Sequence, residues 1–208
     1  MAAPTGPSRG RYIALEGSEG CGKSTQAALL AEDLGAVLTR EQGGTPIGGL
    51  IRAILLNPEH TALDHRAEAL LNAADRSQHV AEVILPSVTA GRHVVSDRSV
   101  YSTLAYQGYG RQMPLEEIRS LNDWAIRGVW PDLAILIEVD SSVLDTRMQA
   151  RTKDRMERES SEFHDRVRAG FRSLAAAEPE RFAVIDGNAT PDEVRRRIRA
   201  AVRDRLGL

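Results

Sequence analysis

The sequence is poor in lysine, cysteine and aromatic residues, and it has no long apolar run. Only two of its 27 basic residues are lysines, Lys23 and Lys153, and its one cysteine is Cys21. A single cysteine excludes an internal disulfide and is typical of a protein in the reducing cytoplasm. Because no apolar stretch approaches the length of a transmembrane helix, we expect no membrane partner.

Neither sign of charge is in large excess. A formal net charge of −2 over 208 residues gives no reason to expect a nucleic-acid polymer as partner. The hydrophobic and charged fractions, 42% and 27%, are ordinary for a globular protein of this size. Residues 1–10 lack the apolar segment of a signal peptide, so we expect a disordered tail there and a single domain over residues 11–208.

Residues 17–24, with the sequence GSEGCGKS, match the pattern G-x-x-x-x-G-K-[ST] and lie between an apolar run and a helix-like segment. A phosphate-binding loop requires this context, because its backbone N–H groups and the following helix N-terminus surround phosphate oxygens. We expect Lys23 to reach the β- and γ-phosphates of a nucleoside triphosphate and Ser24 to hold Mg²⁺. The residues predicted to form this loop are Gly17, Ser18, Glu19, Gly20, Cys21, Gly22, Lys23, Ser24 and Thr25.

Apolar runs alternate with helical patterns along the rest of the chain. Strands are predicted at residues 11–16, 36–39, 93–97, 133–139 and 182–185. Helices are predicted at 22–33, 47–56, 64–90 (with a kink or early break at Pro86), 99–106, 114–127, 143–151, 163–177 and 191–206, and a loop at 108–110. This alternation predicts an α/β fold with a five-stranded parallel sheet flanked by helices, which binds ligands beyond the carboxyl ends of the strands.

A phosphate loop alone leaves kinase, ATPase and GTPase open. A GTPase reads guanine with N-K-x-D, and neither lysine lies in such a motif. A nucleotide kinase needs an acceptor pocket and cations around the transferring group, and Arg40, Asp97 and Arg98 follow predicted strands where they could supply both. A switch or motor ATPase without a small acceptor is the alternative of a different class, and it predicts ATP turnover without an acceptor.

Several segments, in their order and spacing, resemble thymidylate kinase. They are E-G-x-E-G-x-G-K-S-T-Q at 16–26, T-R-E-x-G-G-T at 39–45, A-D-R at 74–76, S-D-R-S at 96–99 and A-Y-Q-G at 105–108. D-R-M-E at 154–157 resembles the lid of the bacterial form. The resemblance spans about residues 11–206. It implies the P-loop nucleoside monophosphate kinase fold with a short lid at about 147–160, and a homodimer formed through the long helix.

The same resemblance implies the reaction ATP + dTMP → ADP + dTDP with Mg²⁺, by in-line phosphoryl transfer. It implies that Arg98 and Arg40 hold the dTMP phosphate, that Asp97 acts on the Mg²⁺ shell, that Arg76 donates to thymine O4, and that Glu19 approaches the sugar 3′-hydroxyl. The substrate-binding residues are expected to be Glu19, Arg40, Asn72, Arg76, Arg98, Ser102, Thr103, Tyr106 and Gln107. The catalytic residues are expected to be Lys23, Asp97, Arg98 and Arg155, with Ser24 and Asp97 at the metal.

The lid stretch is rich in cations: Arg147, Arg151, Lys153, Arg155 and Arg158. By composition alone this would be a solvated helix face. Within the resemblance, however, residues 18–21 of the phosphate loop carry no basic side chain, so the cation on the transferring group has to come from elsewhere. We expect Arg155 to supply it and Arg147 and Arg151 to help hold ATP.

Two positions depart from the family pattern. Gln42 stands where the family usually has a proline after a cis bond, so we expect a trans or differently shaped loop, because a cis bond before a non-proline residue costs about 3 kcal/mol. Asn72 stands where an aromatic residue usually stacks on thymine, which could cost about 1 kcal/mol of base affinity. Another nucleotide kinase of the same fold, or tolerance of dUMP, is therefore the alternative among enzymes.

Overall fold

The computed structural model describes residues 9–148 and 153–208. Five strands form one parallel sheet in the order β2-β3-β1-β4-β5. They are β1 (Tyr12–Glu16), β2 (Val37–Arg40), β3 (Val94–Asp97), β4 (Leu133–Glu138) and β5 (Phe182–Asp186). The predicted sheet is confirmed, because each predicted strand is found with bounds that differ by no more than one residue.

Helices flank the sheet on both faces. In the described residues they are α1 (Lys23–Leu34), α2 (Pro46–Leu56), α3 (His65–His79), α4 (Leu85–Thr89), α5 (Val100–Thr103), α6 (Leu115–Ile126), α7 (Ser141–Met148), α8 (Ser161–Ala177) and α9 (Pro191–Leu206). Capping side chains mark the starts of several of them. Thr45 accepts from the Gly48 N–H at the start of α2, and Asp64 accepts from the N–H groups of Arg66 and Ala67 at the start of α3.

The long helix predicted at 64–90 continues past Pro86. A π-helical segment, Val80–Ile84, joins α3 to α4, and the Leu85 N–H donates to the Val80 carbonyl. Of the two possibilities predicted at Pro86, a kink or an early break, the early break is therefore wrong. Pro86 lies in the first turn of α4, directly after the wider π-helical turn, where its missing N–H and its ring are accommodated.

The loop predicted at residues 108–110 was also wrong. Residues Leu104–Gly110 form a second π-helical segment after α5. A Cβ on Gly108 would lie 2.8 Å from Leu115 Cδ1, and one on Gly110 would lie 2.6 Å from Phe163 Cε2. The two glycines therefore allow close packing of this segment against its neighbours and do not mark a loop.

Strand β1 lies at the centre of the sheet and is buried along its whole length. Its side chains alternate between the two faces, so Tyr12 and Ala14 join one apolar cluster and Ile13 and Leu15 join the other. Residues on both faces of the sheet are therefore shielded by helices, as expected for a parallel sheet.

The amino edge of the sheet is closed by residues that were expected to be disordered. Arg9 Nη1 lies 3.0 Å from both carboxylate oxygens of Asp132, and the Gly10 N–H donates to the Val88 carbonyl over 2.8 Å. For residues 9 and 10 the predicted tail is therefore corrected, and residues 1–8 lie outside the described part. Among the described residues, no helix is both long and apolar enough to cross a membrane.

Candidate active site

A cavity of about 620 Å³ opens beyond the carboxyl ends of the strands, a volume suited to small-molecule ligands. The phosphate loop, the ends of β2 and β3, helices α2 and α3 and the lid surround it. Of the predicted site residues, those lining it are Glu19, Gly20, Gly22, Lys23, Ser24, Thr25, Arg40, Asn72, Asp97, Arg98, Ser102, Thr103, Tyr106, Gln107, Arg147 and Arg155. Gly17, Ser18, Cys21 and Arg76 do not line it, and Arg151 lies outside the described residues.

The phosphate loop joins β1 directly to α1, and its backbone requires glycine. Gly17, Gly20 and Gly22 have φ angles of 140°, 78° and 93°. A Cβ on Gly17 would also lie 2.6 Å from the Ile137 carbonyl oxygen and 3.0 Å from Cys21 Sγ. Cys21 is buried beneath the loop, so its side chain packs and does not face the cavity.

Lys23, Ser24 and Asp97 form a cluster at the start of α1. Lys23 Nζ donates to the Ser18 carbonyl over 3.1 Å and lies 3.4 Å from Glu19 Oε2. The Ser24 hydroxyl donates to Asp97 Oδ2. The other oxygen, Asp97 Oδ1, is buried without a hydrogen-bond partner among the described residues.

This arrangement fits Mg²⁺. Mg²⁺ takes oxygen ligands and usually keeps several waters, so that one or two protein oxygens and the substrate phosphates suffice. A hydroxyl and a carboxylate with an unpartnered oxygen supply such a partial ligand set. In the described residues there is no group of three or more His, Cys, Asp or Glu side chains that could hold a metal ion.

Arg98 is held across the mouth of the phosphate loop. Its Nη1 donates to the Gly17 carbonyl (3.3 Å) and to Ser102 Oγ (2.9 Å), and its Nη2 donates to Glu19 and to the Tyr106 hydroxyl (3.2 Å). Burial opposes ionisation of Glu19, but the Arg98 and Lys23 charges outweigh it and hold the pKa of this carboxyl well below its usual range. Glu19 is therefore a fixed anion between two cations.

Glu16, the last residue of β1, lies beneath this site and is fully buried. Its carboxylate accepts from the hydroxyls of Ser99 and Ser102, each over 2.6 Å. Burial raises the pKa of Glu16 to about 7, although both hydroxyls oppose the shift. Ser102 also accepts from Arg98, so a chain of hydrogen bonds connects this buried carboxyl to the Arg98 guanidinium.

Arg40, Arg52 and Arg98 line the same cavity and bring positive charge to it. Burial lowers the pKa of Arg52, and the nearby charge of Arg40 lowers it further. A cluster of cations that repel one another favours an anionic ligand, because the ligand relieves the repulsion. The sequence analysis missed Arg52, although a lone arginine within the apolar run of α2 could have drawn attention to it.

The chain is similar to known proteins over nearly its full length. The family model for thymidylate kinase matches residues 15–198. The chain belongs to the thymidylate kinase family. The thymidylate kinase of Neisseria gonorrhoeae (strain NCCP11945) is 47% identical over 203 residues, which cover 95% of this chain and 98% of that protein. That of Solidesulfovibrio magneticus is 48% identical over 196 residues, which cover 88% of this chain and 94% of that protein.

The fold agrees with this assignment. The crystal structure of thymidylate kinase from Ehrlichia chaffeensis has a TM-score of 0.78 to this chain at 33% identity, and the match covers 93% of this chain and 99% of that one. The family, the P-loop kinase fold and the enzyme class inferred from the motifs are therefore confirmed. As a member of the thymidylate kinase family, the chain is a kinase that uses ATP to phosphorylate dTMP.

The two positions that depart from the thymidylate kinase pattern contact each other. The Gln42 side-chain amide donates to Asn72 Oδ1, and Asn72 Nδ2 donates to the Glu68 carbonyl over 2.9 Å. The Glu41–Gln42 bond is cis, so the expectation of a trans loop was wrong. Arg52 Nη1 donates to the Gln42 carbonyl over 3.1 Å, which joins this loop to α2.

Arg76, expected to contact the thymine base, lies behind the cavity wall. Its Nε donates to Glu41 Oε2 (2.6 Å), and its Nη1 donates to Thr103 Oγ1 (2.9 Å) and to Asn122 Oδ1 (2.5 Å). Its Nη2 donates to the Ser99 carbonyl over 3.0 Å. With four protein acceptors and 2% exposure, the guanidinium supports the wall and does not line the cavity.

The lid approaches both sides of the thymidylate kinase site. At the phosphate loop, Arg147 Nη1 donates to the Gly20 carbonyl over 3.0 Å. At α2 and α3, Arg155 Nε donates to the Leu55 carbonyl over 2.7 Å, and its Nη2 lies 2.7 Å from Glu68 Oε2. Arg155 therefore lines the cavity; its Nε is hydrogen-bonded to Leu55, whereas its Nη2 is in ion-pair contact with Glu68 but has no hydrogen-bond partner among the described residues.

Proposed function

We propose that this kinase transfers the γ-phosphoryl group of ATP to dTMP in line, with Mg²⁺ as cofactor. The proposal rests on one observation: the side chains of two adjacent residues, Asp97 and Arg98, point to different parts of the cavity. Asp97 meets Ser24 on the donor side, whereas Arg98 turns towards Glu19 and Tyr106 on the acceptor side. Arg98 has a φ of 75°, which turns the chain at the end of β3 and separates the two side chains. The end of β3 thus provides one residue for the ATP side, Asp97, and one for the dTMP side, Arg98.

On the donor side, we assign ATP binding to the loop amides of residues 17–24, to Lys23 and to Arg147. Lys23 is positioned to hold the β- and γ-phosphates, since its ammonium group already lies against the loop. Ser24 and Asp97 would hold Mg²⁺, which when bound neutralises charge on the β- and γ-phosphates. We assign the contacts with adenine to residues 186–190, which begin at the last residue of β5.

On the acceptor side, we assign the dTMP phosphate to Arg40, Arg52 and Arg98. A planar guanidinium binds two phosphate oxygens at once, and the mutual repulsion of these cations favours the phosphate. Glu19 remains ionised in this environment and would accept a hydrogen bond from the sugar 3′-hydroxyl. Tyr106 would pack under the deoxyribose.

The base end of the acceptor pocket is assigned to Asn72, Ser102, Thr103 and Gln107, which line the cavity. Arg76 acts there through Thr103, to which it donates. Because an amide pair replaces an aromatic face at Asn72, base affinity rests on polar contacts at this position. The activity with dUMP as acceptor therefore has to be measured.

Among the described residues, we place the Lys23 and Arg98 side chains at the transferring group. Protein groups do little covalent chemistry in such a transfer, so cations and alignment supply most of the rate. Arg155 was expected from the sequence to contact the transferring phosphoryl group directly. We instead assign it to the anchoring of the lid, since its guanidinium already binds Leu55 and Glu68.

The decisive experiment is a coupled assay of ADP release with dTMP, dUMP, dCMP, AMP and thymidine as acceptors. The proposal expects no turnover without an acceptor and the highest kcat/KM with dTMP. Turnover that needs no acceptor would favour a switch ATPase. A higher kcat/KM with another monophosphate would reassign the acceptor while retaining the reaction type.

We also propose that the enzyme is a homodimer in the cytoplasm. Ile47, Leu50 and Ile54 are exposed on one side of α2, and Leu70 is exposed on the adjacent helix α3. Leu50 is 71% exposed, which is unusual for a large apolar side chain on a helix whose neighbours are apolar too. A second copy of the chain would cover this stripe. The single cysteine supports a reducing compartment.

A further inference from the structure

Glu68 on α3 is fully buried and receives side chains from three separate segments. Gln107 Nε2 donates to its Oε1 over 2.8 Å, and Arg111 donates to both oxygens over 3.2 and 3.0 Å. From the lid, Arg155 Nη2 lies 2.7 Å from Oε2. A carboxylate without solvent contact is thus the meeting point of the acceptor wall and the lid.

The cluster around Glu68 is balanced in charge. Arg111 also pairs with Glu159 of the lid over 2.6 Å, so two buried arginines face two carboxylates. Burial opposes ionisation of Glu68, but hydrogen bonds from Arg111 and Gln107 outweigh it and keep its pKa below the usual range. Removing one charge from such a set leaves a partner buried without compensation.

Arg155 also closes the end of a second helix. Its backbone N–H donates to the Leu56 carbonyl over 3.1 Å, and its Nε donates to the Leu55 carbonyl over 2.7 Å. These are carbonyls of the last turn of α2, which have no partner within the helix and carry partial negative charge. A cation that binds them fastens residues 153–159 of the lid to α2, the helix that carries Arg52.

We propose that Glu68 and Arg155 are positioning residues that fix the acceptor-side end of the lid against α2 and α3. Their pairing sets the distance between the lid and the acceptor pocket, since Asn72 follows Glu68 by one helical turn and Gln107 bonds to it directly. The inference rests on the proposed function, because it assigns a role in the transfer of a phosphoryl group to dTMP.

The alternative is that Arg155 itself contacts the transferring group and that Glu68 only restrains it. The two cases predict different effects on the rate when Glu68 is neutralised. If Glu68 positions the lid, its neutralisation lowers the rate, because a small displacement of an aligned site is costly. If Glu68 restrains a catalytic cation, its neutralisation leaves the rate unchanged or raises it.

The test compares Glu68→Gln, Arg155→Gln, the double variant and a control, Glu178→Gln. Glu178 is a partly buried carboxylate that binds Arg119 and the Tyr101 hydroxyl away from the cavity, so Glu178→Gln also removes the charge of a paired carboxylate but does not touch the site. For each variant we would measure kcat, KM for dTMP, KM for ATP and the urea midpoint of unfolding.

We expect Glu68→Gln to lower kcat by about 10- to 100-fold and to raise KM for dTMP, with KM for ATP within about twofold of wild type. In the double variant the charges balance again, so the urea midpoint recovers while kcat stays low. Recovery of kcat together with stability, or a kcat for Glu68→Gln equal to that of Glu178→Gln, would overturn the proposal.

If Glu68→Gln does not fold, Arg155→Lys replaces it. This variant keeps the positive charge but loses the Nε donor to Leu55, and the proposal expects the same fall in kcat. An unchanged kcat in Arg155→Lys would reject it. Failure of the proposed function itself would be seen separately, since wild-type protein would then release no ADP in response to dTMP.

Discussion

Arg98 and Glu19 form an ion pair that joins the end of β3 to the phosphate loop. The same guanidinium lies over the Tyr106 ring, 5.1 Å from its centroid, and so it is held from several sides before any substrate binds. A pre-positioned cation at the junction of donor and acceptor has no reorganisation to undergo when charge develops there.

Replacing Arg98 with alanine tests this relationship. We expect kcat/KM for dTMP to fall by about 100- to 1000-fold, because a preorganised charged donor is lost. KM for ATP should change little, since Lys23 and the loop amides remain. Steady-state kinetics with each substrate varied would measure both effects, and Arg203→Ala on the outside of α9 is the matched control. A rise confined to KM for ATP would contradict the assignment.

Replacing Asp97 with asparagine tests the metal site. The variant keeps the size of the side chain but removes its negative charge, so we expect the Mg²⁺ concentration for half-maximal activity to rise by about tenfold or more. Titration of Mg²⁺ at fixed ATP and dTMP measures this directly. Ser24→Ala should shift the midpoint in the same direction. An Mg²⁺ midpoint equal to that of wild type in both variants would exclude these ligands.

Glu16 makes the stability of the protein depend on pH. Its pKa in the folded state is about 7, above the ordinary value of 4.5, so the folded protein binds the proton more tightly than the unfolded chain. The contribution is fully present below about pH 4.5 and is lost as pH rises to about 7. From a shift of this size, we expect a loss of about 3 kcal/mol across that window.

Urea unfolding of wild type and Glu16→Gln at intervals from pH 4.5 to 8 isolates this contribution, because the other groups titrate in both proteins. The difference in unfolding free energy between wild type and Glu16→Gln should change by about 3 kcal/mol between about pH 4.5 and about pH 7. Glu180→Gln, at an exposed position, should follow wild type at every pH. If the unfolding free energies of wild type and Glu16→Gln change with pH in parallel, the pH dependence does not come from Glu16.

Replacing Leu50 with aspartate tests the homodimer. A charge on the exposed apolar stripe of α2 and α3 would be buried without a partner if a second copy covered it, so we expect monomers. Light scattering after size-exclusion chromatography gives the mass of each species. Val184→Asp, also at an exposed apolar position but on β5, should leave the mass unchanged. A wild-type protein that is already monomeric would reject the homodimer.

Local patterns predicted the sheet and the phosphate loop. Strands β1 and β4 are apolar runs that are buried along almost their whole length, which leaves little freedom for another assignment, whereas the edge strands β2 and β5 are only partly buried. Lys23 and Ser24 are adjacent to the glycines that position them, so their placement depends on a short stretch of chain. Asp97 and Arg98 could be placed at the site because they follow a strand, and parallel strands end at one edge.

Long-range pairings could not be predicted in this way. Arg155 and Glu68 are far apart along the chain, and nothing in either segment specifies that they meet. Arg76 was likewise expected at the thymine base, because the sequence does not show that Glu41 and Asn122 lie beside it. The close contacts of Gly108 and Gly110 depend on packing against other segments, and a sequence pattern does not distinguish them from the glycines of a turn.

The central position of β1 has a consequence for how the enzyme loses activity. Its backbone amides are paired with β3 on one side and β4 on the other, so their hydrogen exchange requires opening of the whole sheet. The phosphate loop and the Asp97–Arg98 pair are attached to β1 and β3. We therefore expect the amides of β1 to exchange last, and unfolding that reaches β1 to remove the support of the phosphate loop as well.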